Sequence, residues 1–401
     1  MNFTYIDLFA GIGGFHQALS NIGGQCVFAS EIDSFAKDVY ENNYHMKVAG
    51  DITRIPLETI PQADLLCAGF PCQSFSKAGY QNGFEDKTKG TLFFYVKKIL
   101  KYFYENGKPI KYVLLENVRN LVSHNGGNTW RVIIDTLEEL GYHVHNYPTI
   151  MSPTDLDPQV PHSRDRVFIY GIHKKYSKKI DLPDIGNAFV RRNKNNILLS
   201  KSKILDKKVD VKYVLDDDKS RCINMWQELL DHLTVKPSFP IWGNYFHYDL
   251  NTDPEKCPNW KKAMIERNQD FYRENQNFID KWAKKYDFWN LKSTYQKFEW
   301  QCQDEYNNLK ETILQFRPSG LRAKKPTFVP ALVAINQIPI IYQNNVFRKL
   351  TPRECARLQS FPETFEICEI DSQAYKQFGN SVNVKVVEYV SRVLLGVYYD
   401  R

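Results

Sequence analysis

The sequence lacks several features that mark other classes of protein. No apolar run approaches the roughly 20 residues that a membrane-spanning helix needs. The N-terminus carries no basic stretch followed by the apolar core of a signal peptide. The eight cysteines never form a C-x-x-C pair, which argues against a zinc site and against a dense disulfide framework. We therefore expect a cytoplasmic protein that has neither a metal nor a membrane contact.

Composition sets wide limits on the rest. The chain has 401 residues, of which 43% are hydrophobic, so it is long enough for about two or three domains. The net charge of +7 is compatible with a polyanionic partner, although it does not identify one. After Ile172 glycine becomes scarce, and all tryptophans except Trp130 follow between residues 226 and 300. We expect a separate middle domain there, with most of these tryptophans in its core and helices near residues 260–285 and 295–314.

The N-terminal stretch has the pattern of a nucleotide-binding unit. Residues 4–10 form a predicted strand, which is followed by a glycine-rich turn, an amphipathic helix and a second strand that leads to Glu31. Glycines let the backbone approach a ligand closely, and an acid after the second strand can accept hydrogen bonds from ribose hydroxyls. A plain structural turn is the alternative. Asp51 either caps the next segment or accepts a hydrogen bond from an adenine amino group.

Four chemically active side chains lie next to predicted strands. Cys72 follows the apolar residues 63–68, where its thiol is placed for nucleophilic attack; the alternative is an ordinary buried cysteine. Glu116 ends another apolar strand and shares a sheet edge with Cys72 if the sheet is parallel, although it could be a solvated strand end. Arg164 and Arg166 alternate at the start of a strand, where they could bind a phosphate or a base carbonyl, or pair with surface acids.

The C-terminal part returns to alternating strands and helices near Thr327. Thr351, Pro352 and Glu354 are the residue types expected at the N-cap, the first and the third position of a helix. Another helix is predicted to begin at Asp371, before a final apolar helix.

Gathered together, these stretches resemble the DNA cytosine-5 methyltransferases of bacterial restriction–modification systems. The matching motifs keep the family's order and span residues 7–390, apart from the middle domain. One position departs from the family's pattern, because His162 stands where glutamine is usual. The matches are a cofactor loop at residues 7–15, the ribose and adenine acids Glu31 and Asp51, a Pro-Cys-Gln catalytic loop at 69–76, the next motif at 90–94, Glu-Asn-Val at 116–118, the pair Arg164 and Arg166, and the last two motifs at 348–362 and 377–382.

The resemblance implies an α/β fold with a Rossmann-like class I SAM-dependent methyltransferase domain, in which a mixed, mostly parallel sheet has helices on both faces. This catalytic domain would comprise residues 1–173 and 347–401, and a smaller target-recognition domain would comprise residues 174–346. The cofactor would be S-adenosyl-L-methionine (SAM), with S-adenosyl-L-homocysteine (SAH) as product. The partners would be double-stranded DNA and, genetically, a cognate restriction endonuclease, and the protein would be a monomer in the bacterial cytoplasm.

The resemblance also implies roles for individual residues, none of them as a metal ligand. The catalytic set is Cys72, Gln73, Glu116, Arg164 and Arg166. The cofactor set is Phe9, Ala10, Gly11, Ile12, Gly14, Glu31, Ile32, Asp51, Ile52, Gly69, Pro71, Leu92, Asn380, Ser381 and Val382.

The chemistry of cytosine methylation explains why such residue types are needed. Carbon 5 of cytosine is a weak nucleophile, and addition of the Cys72 thiolate at carbon 6 makes carbon 5 enamine-like. Glu116, protonated or sharing a proton, can hydrogen-bond to ring nitrogen 3 and the exocyclic amine. Arg164 can hold the base carbonyl oxygen, and Arg166 can orient Glu116 or a phosphate. Because the target carbon is inaccessible inside a duplex, the base must be flipped out, and the loop at residues 77–90 would close over it.

Three other functions fit parts of the sequence. An enzyme of the same fold that acts on transfer RNA uses similar motifs, although the large middle domain favours a reader of duplex DNA. A nicotinamide dehydrogenase would explain the glycine-rich turn but neither Cys72 nor Glu116. A catalytically dead DNA-binding regulator would be expected to lack one of these two residues, and both are present.

Overall fold

A computed structural model describes residues 2–70, 92–157, 159–177, 182, 184–185, 197–249, 257–334 and 337–396. Pro71, Cys72, Gln73 and the expected closing loop at residues 77–90 lie outside the described residues. Within the described part, no helix is long and apolar enough to cross a membrane. In the same ranges, no three His, Cys, Asp or Glu side chains are grouped as metal ligands would be.

Seven strands form the first sheet, and their bounds are β1 Phe3–Leu8, β2 Gly24–Ser30, β3 Leu65–Ala68, β4 Tyr112–Val118, β5 Tyr142–Val144, β6 Thr149–Met151 and β8 Arg166–His173. The order is β2-β1-β3-β4-β8-β5, and β6 also pairs with β8. The first four strands are parallel, whereas β8 runs antiparallel to β4, β5 and β6. The mixed sheet that the sequence predicts is therefore confirmed. Its parallel part brings the carboxyl ends of β1 to β4 to one edge, where α/β proteins bind ligands.

Helices cover both faces of the first sheet. Successive residues of a strand point to opposite faces, so each strand contributes apolar side chains to both helix layers. In β3, Leu65 and Cys67 belong to one apolar cluster, whereas Leu66 and Ala68 belong to the other. The helices that contribute to these clusters are Gly14–Ser20 and Val384–Leu395 on the first face, and Leu92–Glu105 and Asn128–Glu139 on the second.

The C-terminal segment returns to the first sheet, since Val384–Leu395 packs against Gly14–Ser20. The predicted helix start at Thr351 is confirmed, because its side chain and that of Glu354 form a reciprocal capping box. Within the described residues, the other α-helices are Ser34–Tyr44, Pro153–Leu156, Asp217–His232, Asn259–Glu274, Gln276–Tyr286, Pro352–Leu358 and Asp371–Asn380. Short 3-10 helices lie at Ile52–Arg54, Leu57–Thr59, Arg119–Leu121, His124–Gly127, Leu199–Lys201, Val211–Tyr213, Gly243–Tyr245, Phe288–Asn290, Gln303–Glu305 and Leu309–Glu311.

A second sheet lies in the middle of the chain, and its strands are β9 Ile241–Trp242, β10 Lys297–Gln301, β11 Ile313–Arg317, β12 Gly320–Lys324, β14 Ile340–Gln343 and β15 Val346–Lys349. Their order in the sheet is β15-β14-β11-β12-β10-β9. β15 crosses the expected domain boundary between residues 346 and 347. Two further strands, β7 His162–Ser163 and β13 Val329–Pro330, pair with each other and so join the middle segment to the catalytic motifs.

Two predictions for the middle segment are wrong. The helix expected at residues 295–314 is instead β10, two 3-10 helices and the start of β11. In β10 the buried Phe298 and Trp300 alternate with more exposed residues, which is the period of a strand. The second error concerns the tryptophans, because only half of the six are buried, and Trp260 and Trp289 are 65% and 44% exposed.

Candidate functional site

A cavity of about 690 Å³ opens at the carboxyl edge of the parallel strands. This volume suits a ligand of the size of a nucleoside derivative together with a second group. Pro71, Cys72 and Gln73 lie outside the described residues, and every other residue of the predicted site lines the cavity. Those residues are Phe9, Ala10, Gly11, Ile12, Gly14, Glu31, Ile32, Asp51, Ile52, Gly69, Leu92, Glu116, Arg164, Arg166, Asn380, Ser381 and Val382.

The loop after β1 is held by the acid after β2. The Glu31 Oε2 atom accepts a hydrogen bond from the Gly11 N–H at 2.8 Å, and its Oε1 atom accepts from the Asp33 N–H at 2.8 Å. Gly11 has φ +55°, and a Cβ placed there would meet no atom within 4 Å, so the space on that side of the Gly11 Cα is open. Each carboxylate oxygen keeps a second lone pair, so Glu31 can still accept from a ligand hydroxyl.

Close packing at Gly14 brings the C-terminal motif to this loop. A Cβ at Gly14 would lie 2.7 Å from Val382 Cγ2 and 2.8 Å from Ser381 Oγ. Only glycine therefore permits the helix after the loop to touch residues 381–382. The turn of the first motif and the end of the last motif become one wall, although about 370 residues separate them in the chain.

Two features lie at the mouth of the cavity. Ile32 is 74% exposed, which leaves an apolar surface beside the carboxylate of Glu31. Lys376 Nζ lies 2.6 Å from Asp33 Oδ2, and this ion pair connects the last part of the chain to the segment after β2. Neither Lys376 nor Asp33 is predictable from the sequence, because an ion pair between residues 343 positions apart leaves no local pattern.

The expected capping function of Asp51 is present. Its Oδ1 atom accepts from the Thr53 N–H at 3.0 Å, and Arg54 Nε lies 3.5 Å from its Oδ2 atom. The same side chain lines the cavity, so it also remains available to a ligand amine.

The deep wall of the cavity contains a buried acid and its partner. Arg166 Nε lies 2.9 Å from Glu116 Oε1. Burial raises the pKa of the Glu116 carboxyl, and the nearby Arg166 and Arg164 guanidinium groups oppose that rise. Desolvation is the larger effect, so this carboxyl holds a proton to higher pH than an exposed glutamate does.

Comparison with known proteins decides the family. The model of the C-5 cytosine-specific DNA methylase family matches residues 3–395. The chain belongs to this family. M.AluI, a Type II methyltransferase of Cellulosimicrobium cellulans, is 34% identical and aligns with 97% of this chain and 91% of its own. M.HhaI of Haemophilus parahaemolyticus is 30% identical, with 96% and 92% covered.

Solved structures agree on the fold of the methylase. The Dnmt2 methyltransferase of S. pombe has a TM-score of 0.58 and 17% identity, and the alignment covers 99% of both chains. The Entamoeba histolytica methyltransferase EhMeth has a TM-score of 0.52 and 15% identity, with 99% and 98% covered. At these identities the likeness concerns the fold alone.

In the methylase, Arg164 lines the cavity and also holds the backbone of two segments that are distant in sequence. It is buried, and its Nη1 atom donates to the Leu332 carbonyl at 2.7 Å. Its Nη2 atom donates to the carbonyls of Gly379 at 2.9 Å and Ser381 at 2.8 Å. Three backbone carbonyls engage both Nη atoms, whereas Nε makes no hydrogen bond within the described residues, so the expected contact of Arg164 with a base carbonyl stays a prediction. Arg166, which lies against Glu116, lines the same cavity and is a second candidate for that contact.

Asn117 is a site residue that the sequence analysis quoted without assigning a role. Its Nδ2 atom donates to the Phe70 carbonyl at 2.7 Å. A Cβ on Gly69 would lie 3.6 Å from Glu116 Oε2. Gly69 and Phe70, which precede the catalytic loop, therefore lie beside Glu116, and Asn117 holds Phe70 in this position.

Several buried polar atoms along the cavity suit a polar ligand. Within the described part of the chain, Ser30 Oγ, Gln377 Nε2 and Arg164 Nε make no hydrogen bond. All three residues line the cavity. Since buried polar atoms usually have a partner, these groups fit a ligand with its own donors and acceptors, such as the amino-acid part and ribose of SAM.

Proposed function

We propose that this methylase transfers the methyl group of SAM to carbon 5 of a cytosine flipped out of a specific duplex site, releasing SAH. One observation carries the proposal. A single cavity is lined both by the predicted cofactor residues around Gly11 and Glu31 and by the buried pair Glu116 and Arg166. The two reactants of a methyl transfer can thus be held side by side.

The cofactor residues have separate tasks in this proposal. Glu31 accepts hydrogen bonds from the ribose hydroxyls, and Asp51 accepts one from the adenine amino group. Ile32 covers a face of the adenine with its exposed side chain. Ser381 and the Gly11 loop surround the amino-acid part. When bound, SAM supplies the methyl group.

The base residues activate the cytosine. The Cys72 thiolate forms a bond to carbon 6, and the electron pair of the carbon 5–carbon 6 double bond moves so that carbon 5 becomes nucleophilic. The Glu116 proton neutralises the charge that develops at ring nitrogen 3. Arg166 orients Glu116 and donates to the base carbonyl. After methylation a base or water removes the carbon 5 proton, and Cys72 leaves with its bonding pair.

The middle segment, residues 174–346, is proposed as the target-recognition domain. In the second sheet, Arg322 and Lys324 lie on the face opposite the apolar cluster that contains Leu321 and Ala323. Arg322 Nε lies 2.9 Å from Glu299 Oε2, and Lys324 makes no ion pair within the described ranges. This cationic face suits the phosphates of a duplex.

In the cell, the proposed activity would modify DNA at the site that the methylase recognises. Methylation of a defined site would protect DNA from a cognate restriction endonuclease, which would be a genetic partner of the methylase. The protein would act as a cytoplasmic monomer.

Methyl transfer by the purified protein to plasmid DNA tests the proposal, with total transfer RNA as the competing substrate. We expect label on the duplex, and bisulfite-type sequencing should place it on cytosine within one site. Cys72→Ala should still bind SAM and duplex but lose transfer. Transfer near the wild-type rate in this variant would contradict the covalent mechanism, and label on RNA alone would contradict the DNA substrate.

A further inference from the structure

A short segment of the middle region packs against residues that line the cavity. After β12 the chain leaves the second sheet, and residues 329–334, here called the strap, run along the catalytic motifs before β14 rejoins it. Val329 pairs with His162, and its N–H donates to the Pro161 carbonyl at 2.6 Å. Leu332, further along the strap, is buried.

His162 contacts the strap from one side. The Leu332 N–H donates to His162 Nε2 at 3.4 Å, and His162 Nδ1 lies 3.1 Å from the Leu358 carbonyl. An accepting Nε2 atom requires the proton to be on Nδ1, so the ring is neutral and bridges the strap to the helix Pro352–Leu358. Burial, aided by the charges of Arg164 and Arg166, lowers the pKa of His162 to about 3, which keeps this neutral form at physiological pH.

Arg164 contacts the strap from the other side. It donates to the carbonyl of the same Leu332 and, with its other Nη atom, to the carbonyls of Gly379 and Ser381. His162 therefore holds the N–H of Leu332, and Arg164 holds its carbonyl. Through Arg164 the strap is tied directly to the wall that includes Ser381 and Val382.

Gly379 lets the strap lie against this wall. A Cβ at Gly379 would be 2.4 Å from the carbonyl carbon of Val333 and 2.6 Å from the nitrogen of Ala334. The backbones thus touch where a side chain would separate them, and a shift of the strap must displace the end of the helix Asp371–Asn380.

We infer that the strap couples DNA binding by the middle region to cofactor binding in the cavity, with His162 and Arg164 as positioning residues. The inference rests on the proposed function, since it takes the middle region to contact DNA. A duplex that shifts the second sheet moves the strap, and the strap moves residues 379–382. By linkage, DNA then changes the affinity for SAH and SAH changes the affinity for DNA by the same factor.

The coupling factor is the ratio of the Kd of SAH without and with a duplex that carries the methylated site, measured by titration calorimetry. We expect about a 5-fold ratio or more for the wild type. His162→Leu removes both hydrogen bonds of the ring and should lower the ratio, while Arg164 still joins the strap to Ser381. His162→Gln keeps a donor and an acceptor and should restore part of it. His173→Leu, which replaces another buried histidine at the far end of β8, should leave it unchanged.

Two results would overturn the inference. One is a wild-type protein that methylates DNA but has a ratio of one; the other is a folded His162→Leu variant with the wild-type ratio. A wild type that methylates no DNA would instead reject the proposed function. Hydrogen exchange of the wild type alone gives a second measurement that needs no variant. SAH should change the protection of the peptide that spans residues 329–334, and an unchanged peptide would also reject the coupling.

Discussion

The Nε atom of Arg166 lies 2.9 Å from Oε1 of Glu116, and the two residues stand on the adjacent antiparallel strands β8 and β4. Both side chains are largely buried. The strands, rather than a ligand, hold this pair together, so the groups that meet the base are in position before it arrives. Such preorganisation is a large source of rate enhancement in enzymes.

Glu116→Gln tests whether the proton on this acid is used. Because burial raises the pKa of Glu116, we expect the transfer rate of the wild type to fall as pH rises through that raised pKa. The amide has no such proton, so the variant should be slower by about 10²- to 10⁴-fold and should lack this descending limb. Single-turnover rates across the pH range measure both effects, and an identical limb in both proteins would show that another group titrates.

Arg166→Met should move the same limb. Arg166 opposes the rise in the Glu116 pKa, so its removal should raise that pKa further and shift the descending limb to higher pH. Arg166→Lys, which keeps the charge, is the control and should shift the limb less. If the descending limb of Arg166→Met stays at the wild-type pH, the Arg166 guanidinium does not influence the pKa of the group that titrates.

Glu31→Ala should weaken cofactor binding. The carboxylate holds the Gly11 peptide and is proposed to accept from the ribose, so its loss should cost on the order of 1 to 3 kcal/mol. Titration calorimetry with SAH measures this change. Glu58→Ala removes an exposed acid of the same charge and should have no effect. Equal SAH affinities for the two variants would show that Glu31 does not contribute to cofactor binding.

Stability should depend on pH through His162. Its pKa is lowered from 6.5 to about 3 in the folded protein, so the unfolded chain binds the extra proton in that range. The contribution of the neutral ring is complete above the unfolded pKa and is lost as pH falls below it, by about 2 kcal/mol between about pH 7 and pH 5. Urea unfolding at both pH values should show a smaller loss for His162→Gln than for the wild type. Equal losses in the two proteins would contradict the lowered pKa.

The fold could be predicted because its signals are local. Apolar strands, glycine turns and the helix cap at Thr351 are each determined by a few neighbouring residues. The family motifs indicate the sequence in which these elements follow one another. The middle segment has no such motifs. Its helix at residues 295–314 was expected from charge and composition, whereas the buried alternation of Phe298 and Trp300 decides for a strand.

The contents of the cavity could be predicted better than the tasks of its residues. Alternation places Arg164 and Arg166 on one side of a strand, and the resemblance implied that Arg166 could orient Glu116. The contacts of Arg164 with the carbonyls of Leu332 and Ser381 could not be predicted, because those residues are distant in sequence. Asn117 stood in a quoted motif, but its task depends on a loop carbonyl that no spacing reveals.

The cationic face of the second sheet gives a final prediction. Lys324 is partly buried beside Arg322 and makes no ion pair within the described ranges; the nearby Glu299 is paired with Arg322, so removal of Lys324 leaves no acid unpaired. If it contacts a phosphate, Lys324→Ala should weaken duplex binding equally for specific and unrelated DNA and should lower the slope of log K against log salt by about 0.9. Lys281→Ala, on an exposed part of the helix Gln276–Tyr286, is the matched control. A loss confined to the specific site would instead make Lys324 a reader of base edges, because phosphate contacts carry no sequence information.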